Sequence, residues 1–291
     1  TTGRGPVARP LLPYAVLAIA LAGVSFGSIF VRLAAAPALA IALWRMTIAS
    51  AVVLPAALAG GRRPARASLR AVLLAIVAGG LLALHFATWI TSLQYTTVAN
   101  SVLLVNTAPV FVASLMWLTG QRPAARTWAS VFLAVAGAAI IGAGDAGRAG
   151  STLGNLLAVG GAVAMAGYLM LAREAQRGLA YLPYVALAYS SAAAVLWVAV
   201  IASGTTWHGF GAQTWAAVAA MAVVSQLVGH GGYNWSLRHL PPTFVSVALT
   251  GEPVIAAGLA WWLLGEPVTA GTVLGGALVL AAILVAARSR S

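Results

Sequence analysis

The sequence predicts an all-α integral membrane protein of ten transmembrane helices, arranged as two inverted five-helix repeats around a central cavity. Three observations lead to this prediction. The 291 residues are 62% hydrophobic and 7% charged, whereas a soluble domain is roughly half apolar and about a quarter charged. Apolar runs of about 20 residues, long enough to cross about 30 Å of hydrocarbon, recur along the chain. Finally, a weak internal repeat relates the two halves.

The predicted spans are separated by short polar segments that leave no room for a soluble domain. They cover residues 11–32, 38–59, 70–94, 98–119, 127–144, 152–172, 181–203, 214–237, 243–264 and 269–287. No signal-peptide cleavage site precedes the first run, which is long enough to remain a helix. We therefore expect every run to stay in the membrane.

Charge distribution predicts the orientation. All sixteen basic residues are arginine. With the N-terminus in the cytoplasm, thirteen of them fall in cytoplasmic segments, Arg32 and Arg148 fall outside, and Arg45 lies within a span. Short cytoplasmic loops of membrane proteins carry such an excess, so both termini are predicted to be cytoplasmic. The net charge of +12 is then a topology signal, and we expect no nucleic-acid partner.

The repeat becomes visible when the sequence is shifted by 144 residues. Residues 89–123 then align without a gap with residues 233–267, and the alignment pairs a tryptophan and two prolines, Pro109 with Pro253. The predicted repeats are residues 1–146 and 147–291. Because each holds five spans, an odd number, the second enters the membrane inverted, as in many secondary transporters. The alternative is a membrane protein that duplicated without transporting anything.

Several motifs together resemble a known family. They are a WR pair in the second span, NTAPVF in the fourth, and GEPVI followed by WWLLGEP in the ninth. With ten spans in two inverted halves, they resemble the drug/metabolite transporter superfamily and its ten-helix EamA-type group over the whole chain. Within that group the chain is similar to the YddG-type exporters of aromatic amino acids. The resemblance implies a basket of helices with a central cavity lined chiefly by the first, third, fourth, sixth, eighth and ninth spans. It also implies export of a small metabolite across the bacterial inner (plasma) membrane.

Two prolines are predicted to kink their helices near the bilayer midplane. Proline removes one backbone hydrogen bond and clashes with the carbonyl four residues earlier. Pro109 and Pro253 lie about ten residues into their spans, hence roughly 15 Å deep. Backbone freed at that depth has to face protein or a wet cavity, and Gly251 would allow close approach there. Kinks that serve helix packing alone are the alternative.

Glu252 places a carboxylate beside the second proline. A charge at a helix centre costs about 3 kcal/mol on insertion scales, so Glu252 is expected to face water, pair with a base or carry a proton. Arg45 and His230 are its candidate partners. A structural role at its own kink is the alternative for Glu252, and a bridge between helix ends near the outer face is the alternative for Arg45.

Helical spacing places further polar residues on two stripes, since residues separated by three, four or seven positions share a face. The stripes are His85, Trp89 and Ser92 on the third span and Gln226, His230 and Asn234 on the eighth. We predict that they line the substrate cavity, with Asn106 beside the first proline. Histidine also suits a proton relay, and ordinary packing is a further alternative.

Aromatic residues complete the predicted substrate site, where they would stack on a planar group or attract an ammonium. The candidates are Trp44, Trp89, Tyr168, Tyr233 and Trp235. Only Arg45 is a cation clearly within a span, which disfavours organic phosphates. A near-neutral, amphiphilic substrate fits this composition better.

The predicted function is an inner-membrane secondary transporter that exports amino acids, aromatic or apolar and over a broad range, by alternating access. A multidrug or other small-metabolite exporter is the alternative. An intramembrane enzyme is disfavoured because the sequence lacks GxSxG and zinc motifs, so we predict no catalytic residue, metal or cofactor. The expected partners are amino acids and the lipid bilayer. The GxxxG at residues 271–275 leaves a monomer or a homodimer open.

Overall fold

The computed structural model describes residues 11–59, 68–96, 101, 104–143, 151–264, 268 and 270–288. Within these ranges all regular secondary structure is helical. The prediction of an all-α fold is confirmed for this part of the chain. The helices are α1 (Leu12–Ser25), α2 (Gly27–Leu33), α3 (Ala38–Ala59), α4 (Leu69–Tyr95), α5 (Ala108–Leu118), α6 (Ala125–Ala143), α7 (Thr152–Gly178), α8 (Tyr181–Ser203), α9 (Ala212–Ala220), a π-helical segment (Met221–His230), α10 (Gly231–Ser236), α11 (Pro242–Leu249), α12 (Glu252–Leu264) and α13 (Ala270–Arg288).

Six helical segments are long and apolar enough to cross a bilayer. They are Leu12–Leu33, Ala38–Ala59, Leu69–Tyr95, Thr152–Gly178, Tyr181–Ser203 and Ala212–Ser236, which match the first, second, third, sixth, seventh and eighth predicted spans. Shorter apolar helices cover Ala108–Leu118, Ala125–Ile140 and Val273–Arg288 within the fourth, fifth and tenth predicted spans. The ninth is divided between α11 and α12. Six helices able to cross a bilayer by length and composition are therefore confirmed, and the total of ten crossings stays a prediction.

Polar residues fix the ends of the longest helices. Ser68 caps α4 by accepting a hydrogen bond from the backbone N–H of Ala71 at 3.2 Å. Ser151 caps α7 in the same way through Gly154 N–H at 3.1 Å. Gly204 ends α8 in the left-handed conformation, with φ of 64°, which glycine adopts without steric cost. These local signals explain why the predicted starts of the third and sixth spans and the predicted end of the seventh lie within one residue of the observed bounds.

Small residues allow the helices to pack backbone against backbone. A β-carbon on Gly79 of α4 would lie 2.3 Å from the carbonyl oxygen of Ala188 in α8. Likewise, a β-carbon on Gly23 of α1 would lie 2.8 Å from the carbonyl oxygen of Val224 in the π-helical segment. A β-carbon on Gly137 of α6 would lie 2.7 Å from the carbonyl oxygen of Gly275, in the GxxxG of α13. Such close approach is the usual role of glycine between membrane helices, and the GxxxG contributes at least to packing within the chain.

The two predicted kinks are full interruptions rather than bends. Pro109 and Pro253 each lie in the first turn of a new helix, α5 and α12. Proline is well tolerated there because the N–H that it lacks would have no partner within the helix. The turns before the two prolines span Asn106–Thr107 and Thr250–Gly251. The sequence placed the breaks correctly but predicted a milder distortion than the structure has.

A threonine holds each interruption. The hydroxyl of Thr107 donates to the carbonyl of Leu104 at 2.6 Å, and the hydroxyl of Thr250 donates to the carbonyl of Val247, also at 2.6 Å. Carbonyls at the end of a helix have lost their intrahelical partners, so the side-chain donors replace part of the missing bonding. Each interruption is thus stabilised by at least one local side-chain hydrogen bond to a carbonyl.

Candidate functional site

A buried cavity lies where the interrupted helices meet α1, α3, α4, α7 and the π-helical segment. Its volume is about 50 Å³, which leaves room for about four water molecules. Charged, polar and aromatic groups make up much of its wall: Arg45, His85, Phe86, Trp89, Asn106, His230, Tyr233, Ser246 and Glu252. The remaining lining residues are Val24, Gly27, Val105, Ala108, Pro109, Met165 and Leu249.

Both interrupted helices direct their N-terminal ends to this cavity. Pro109 in the first turn of α5 and Glu252 in the first turn of α12 both line it. The N-terminus of a helix carries partial positive charge from its unbonded N–H groups. Glu252 therefore lies at a helix end that stabilises a carboxylate rather than at a helix centre. This position explains the charge that the apolar ninth span carries.

Arg45 lies at the cavity and not near the outer face. It is only 2% exposed and lines the cavity instead of bridging helix ends near the outer face. Its Nε donates to Oε1 of Gln226 at 2.8 Å, and its Nη2 donates to the carbonyl of Ser225 at 3.5 Å. The guanidinium carbon lies 4.0 Å from the centroid of the Phe86 ring, a cation–π arrangement.

Arg45 and Glu252 share the cavity without pairing directly. In the described part of the chain the ion pairs within 4.0 Å join Glu174 to Arg70 and to Arg177, and none joins Arg45 to Glu252. Burying an unpaired charge is costly. Two opposite charges are therefore held at one cavity without a direct ion pair between them.

The predicted stripe on the third span is partly in the cavity. The rings of His85 and Trp89 stack with centroids 6.0 Å apart, and both residues line the wall. The Nδ1 of His85 bonds to the carbonyl oxygen of Gly161 at 2.9 Å, so Nδ1 is the protonated nitrogen. Ser92 instead faces Ser101, with the two hydroxyls 2.6 Å apart.

The stripe on the eighth span is divided by the π-helical segment. His230 and Tyr233 line the cavity, whereas Gln226 and Asn234 lie behind the wall. Gln226 accepts from Arg45, and Asn234 accepts from the hydroxyl of Tyr168 at 2.7 Å. A π-helix bonds five residues back, so side chains four apart no longer share one face. The predicted substrate residues Gln226, Asn234 and Tyr168 are thus placed as supports of the cavity.

Trp44 lies outside the cavity. Its ring contacts those of Trp197 and Trp215, with centroids 5.8 Å and 5.0 Å away. Its Nε1 donates to the carbonyl of Trp207 at 2.7 Å. The neighbouring residue, Arg45, lines the cavity instead, because consecutive residues of a helix point in different directions.

Gly251 and Pro253 also lie outside the lining. A β-carbon on Gly251 would lie 2.9 Å from a methyl group of Leu21 in α1, so this glycine serves close packing beside the turn. Phe86 and Ser246 line the cavity without having been predicted. Adjacency to His85 is the only sequence signal for Phe86.

Three lining residues carry buried polar atoms that have no hydrogen-bond partner in the described chain. They are Nε1 of Trp89, Nδ1 of His230 and the hydroxyl of Tyr233. Buried polar groups are nearly always hydrogen-bonded, and each unmade bond has a cost. Because all three residues line one cavity, the arrangement favours a site that bonds to a polar ligand or to water.

Comparison with known proteins identifies the family. The sequence matches the EamA-like transporter family twice, over residues 12–143 and 152–288. A relative described as an uncharacterized transporter of Archaeoglobus fulgidus is 26% identical over 282 residues, which cover 94% of this chain and 97% of the relative. A solved structure, described only as a crystal structure of a protein, superposes with a TM-score of 0.79 at 21% identity. It covers 97% of this chain and all of the other, and this likeness concerns the fold alone.

Proposed function

This chain belongs to the EamA-like transporter family, within the drug/metabolite transporter superfamily, and we propose that it exports amino acids with aromatic or apolar side chains by alternating access. The family is one of multi-pass membrane transporters rather than of enzymes. Within that family the substrate, the direction and the mechanism are our proposal. They rest on the geometry of the buried cavity.

The observation that carries the proposal is the meeting of two interrupted helices at that cavity. α5 and α12 both begin at its wall, each after a turn and with a proline in its first turn. Discontinuous helices whose N-terminal ends and unwound backbone border a central site are a recurring feature of secondary transporters. This arrangement supports a substrate site between groups of helices that move relative to each other.

Helix packing supports two related halves, residues 1–146 and 147–291, with ten spans in total. α4 packs along α7, while α1 packs along the π-helical segment and α10. In the repeat, the third span corresponds to the eighth and the sixth span corresponds to the first. The first of these contacts therefore corresponds to the second. The repeat also pairs the second span with the seventh and the fifth with the tenth. The contacts between α3 and α8 and between α6 and α13 therefore each join two helices that correspond to each other in the repeat. An odd number of spans in each half would then make the repeat inverted.

The wall of the cavity supports an amphiphilic substrate of low net charge. Phe86, Trp89 and Tyr233 supply aromatic surface, and one cation and one anion, Arg45 and Glu252, balance each other. A phosphate-bearing substrate would call for an excess of cations. Because the cavity is only about 50 Å³, a whole aromatic amino acid requires the surrounding helices to move apart.

The same family allows a second candidate, export of lipophilic cations. A single carboxylate, Glu252, among aromatic side chains favours it, whereas the buried Arg45 opposes a cationic ligand. For either candidate we propose the bacterial inner membrane with both termini in the cytoplasm, on the distribution of the arginines. No metal or cofactor is part of the proposal.

The test is transport by the purified full chain in liposomes. A panel of labelled amino acids would be assayed with and without a pH gradient, beside a labelled lipophilic cation and empty liposomes. We expect saturable movement of phenylalanine, tryptophan and leucine that unlabelled substrate inhibits. Movement of the cation with none of the amino acids would overturn the proposal in favour of its alternative. A rate that ignores the pH gradient would exclude a coupling role for Glu252 and His230.

A further inference from the structure

We propose that Arg45 and Glu252 form a zwitterion site, in which Arg45 binds the carboxylate of the substrate and Glu252 binds its ammonium. The inference rests on the proposed transport of amino acids and adds the orientation of the substrate and the two residues that select its head group. Both residues line one buried cavity but lie on different elements, α3 and α12.

Arg45 is oriented as a carboxylate receptor. A guanidinium has five N–H donors in a fixed plane, and the bonds to Gln226 and to Ser225 involve only the Nε and Nη2 nitrogens. The Phe86 ring covers one face of the group. The remaining donors can bind a carboxylate through two parallel hydrogen bonds, a geometry for which a guanidinium is well suited. The neighbours thus fix the cation in place without neutralising it.

Glu252 is available to an ammonium. Its backbone carbonyl is 3.5 Å from the hydroxyl of Ser25, which ties the first turn of α12 to α1. For its carboxylate oxygens the described residues provide neither a hydrogen bond nor an ion pair. The unpartnered Nδ1 of His230 and hydroxyl of Tyr233 lie in the same wall and can accept further N–H bonds from an ammonium.

Charge balance selects a ligand that carries both signs. A ligand with a carboxylate alone would leave Glu252 unpaired in the buried cavity, and an amine alone would leave Arg45 unpaired. Leaving one buried charge without its partner is strongly unfavourable. A zwitterion compensates both residues at once. The aromatic rings of Phe86 and Trp89 then border the side chain of the ligand.

The experiment compares three ligands of one shape, with binding to the detergent-purified full chain measured by calorimetry. L-Phenylalanine carries both charges, phenethylamine lacks the carboxylate, and 3-phenylpropionate lacks the ammonium. For the wild-type chain we expect phenylalanine to bind roughly tenfold or more tightly than either analogue. Equal affinity for all three ligands would overturn the zwitterion site, and this comparison needs no variant.

Two substitutions test which residue binds the carboxylate of the ligand and which binds its ammonium. Arg45→Gln should weaken phenylalanine and phenylpropionate roughly tenfold or more and spare phenethylamine, and Glu252→Gln should give the opposite pattern. Glu174→Gln and Arg177→Gln, which alter an exposed ion pair, are the matched charge controls and should leave all three affinities unchanged. A parallel loss of all three ligands in both variants, with native elution and helicity, would contradict the assignment.

A second variant covers the case in which Arg45→Gln fails to fold. Arg45→Lys keeps the charge but cannot offer a two-pronged guanidinium, so it should weaken the two carboxylate ligands and spare the amine. Failure of this inference is distinguishable from failure of the proposed function. If liposomes transport amino acids while Arg45→Gln and Glu252→Gln do not show opposite ligand preferences, only the zwitterion site is refuted. If phenethylamine alone binds and is transported, the amino-acid substrate class falls as well.

Discussion

The guanidinium of Arg45 rests on the face of the Phe86 ring, 4.0 Å from its centroid. The contact joins α3 to α4 and fixes a buried cation at the wall of the cavity. An aromatic face is one of few neighbours that attract a cation without neutralising its charge. Phe86 therefore keeps Arg45 in place and leaves its charge available to bind an anion.

Replacement of Phe86 by leucine should weaken substrate binding. The cation–π contact contributes about 0.5–2 kcal/mol, so we expect the apparent affinity for phenylalanine to fall between roughly twofold and thirtyfold. Phe86→Tyr retains an aromatic face and should retain most of the affinity. Phe132→Leu, at a position that is 60% exposed, is the control for loss of a phenyl ring. Equal affinities for Phe86→Leu and Phe132→Leu would contradict this role.

Alanine at Gly79 should destabilise the protein, whereas alanine at Gly80 should not. The new β-carbon would lie 2.3 Å from the carbonyl oxygen of Ala188 at the first position, and it would meet nothing within 4 Å at the second. Overpacking of this kind costs about 1–3 kcal/mol. Thermal unfolding in detergent should therefore give a lower Tm for Gly79→Ala alone. Matching Tm values for the two variants would show that α4 and α8 do not pack in this way.

Loss of both prolines should impair transport more than folding. Alanine at 109 and 253 permits hydrogen bonds that proline forbids, so each interrupted span can extend into a continuous helix and alter the wall of the cavity. We expect the double variant to purify normally and to transport at least roughly tenfold more slowly, as small misplacements at a site commonly produce. Pro55→Ala, at an exposed position within α3, is the control. Unchanged transport by the double variant would refute the role of the interruptions.

Removal of the Tyr168 hydroxyl should lower stability. This hydroxyl donates to Oδ1 of Asn234 at 2.7 Å and is fully buried, so Tyr168→Phe leaves a buried amide oxygen without its partner. Such a loss costs about 1–3 kcal/mol. Tyr95→Phe removes the same group from a residue that is 48% exposed and should have little effect. Denaturant or thermal unfolding of both variants distinguishes a supporting role from a direct substrate contact, which would alter binding but not stability.

Local patterns predicted the long spans and the position of both helix interruptions. Apolar runs bounded by Ser68, Ser151 and Gly204 gave helix ends to within a few residues, because capping and turn preferences act over a few positions. The prolines located the interruptions for the same reason. Whether the shorter helices complete ten crossings depends on their tilt and depth, which a local pattern does not contain.

The lining of the cavity was only partly predictable because it depends on rotation and on distant partners. Assigning Trp44 and not Arg45 to the wall reflects an error of a single residue, equivalent to about 100° around a helix. The spacing of an α-helix predicted that Gln226 and Asn234 line the cavity together with His230. The π-helical segment changes the hydrogen bonding, so the regular spacing of side chains no longer applies there. His85, Trp89 and His230 line the cavity, since they lie outside or at the edge of that irregularity.

The contact between α1 and the π-helical segment limits how this transporter can move. Gly23 faces the carbonyl oxygen of Val224, and a β-carbon on Gly229 would lie 2.6 Å from the side chain of Val24. Two backbones in such contact cannot rotate against each other without collision, although they can travel together. Opening of the cavity should therefore displace the N-terminal helix and the π-helical segment as one rigid body. Distances measured between spin labels on these two elements would stay constant while distances to α4 and α7 change.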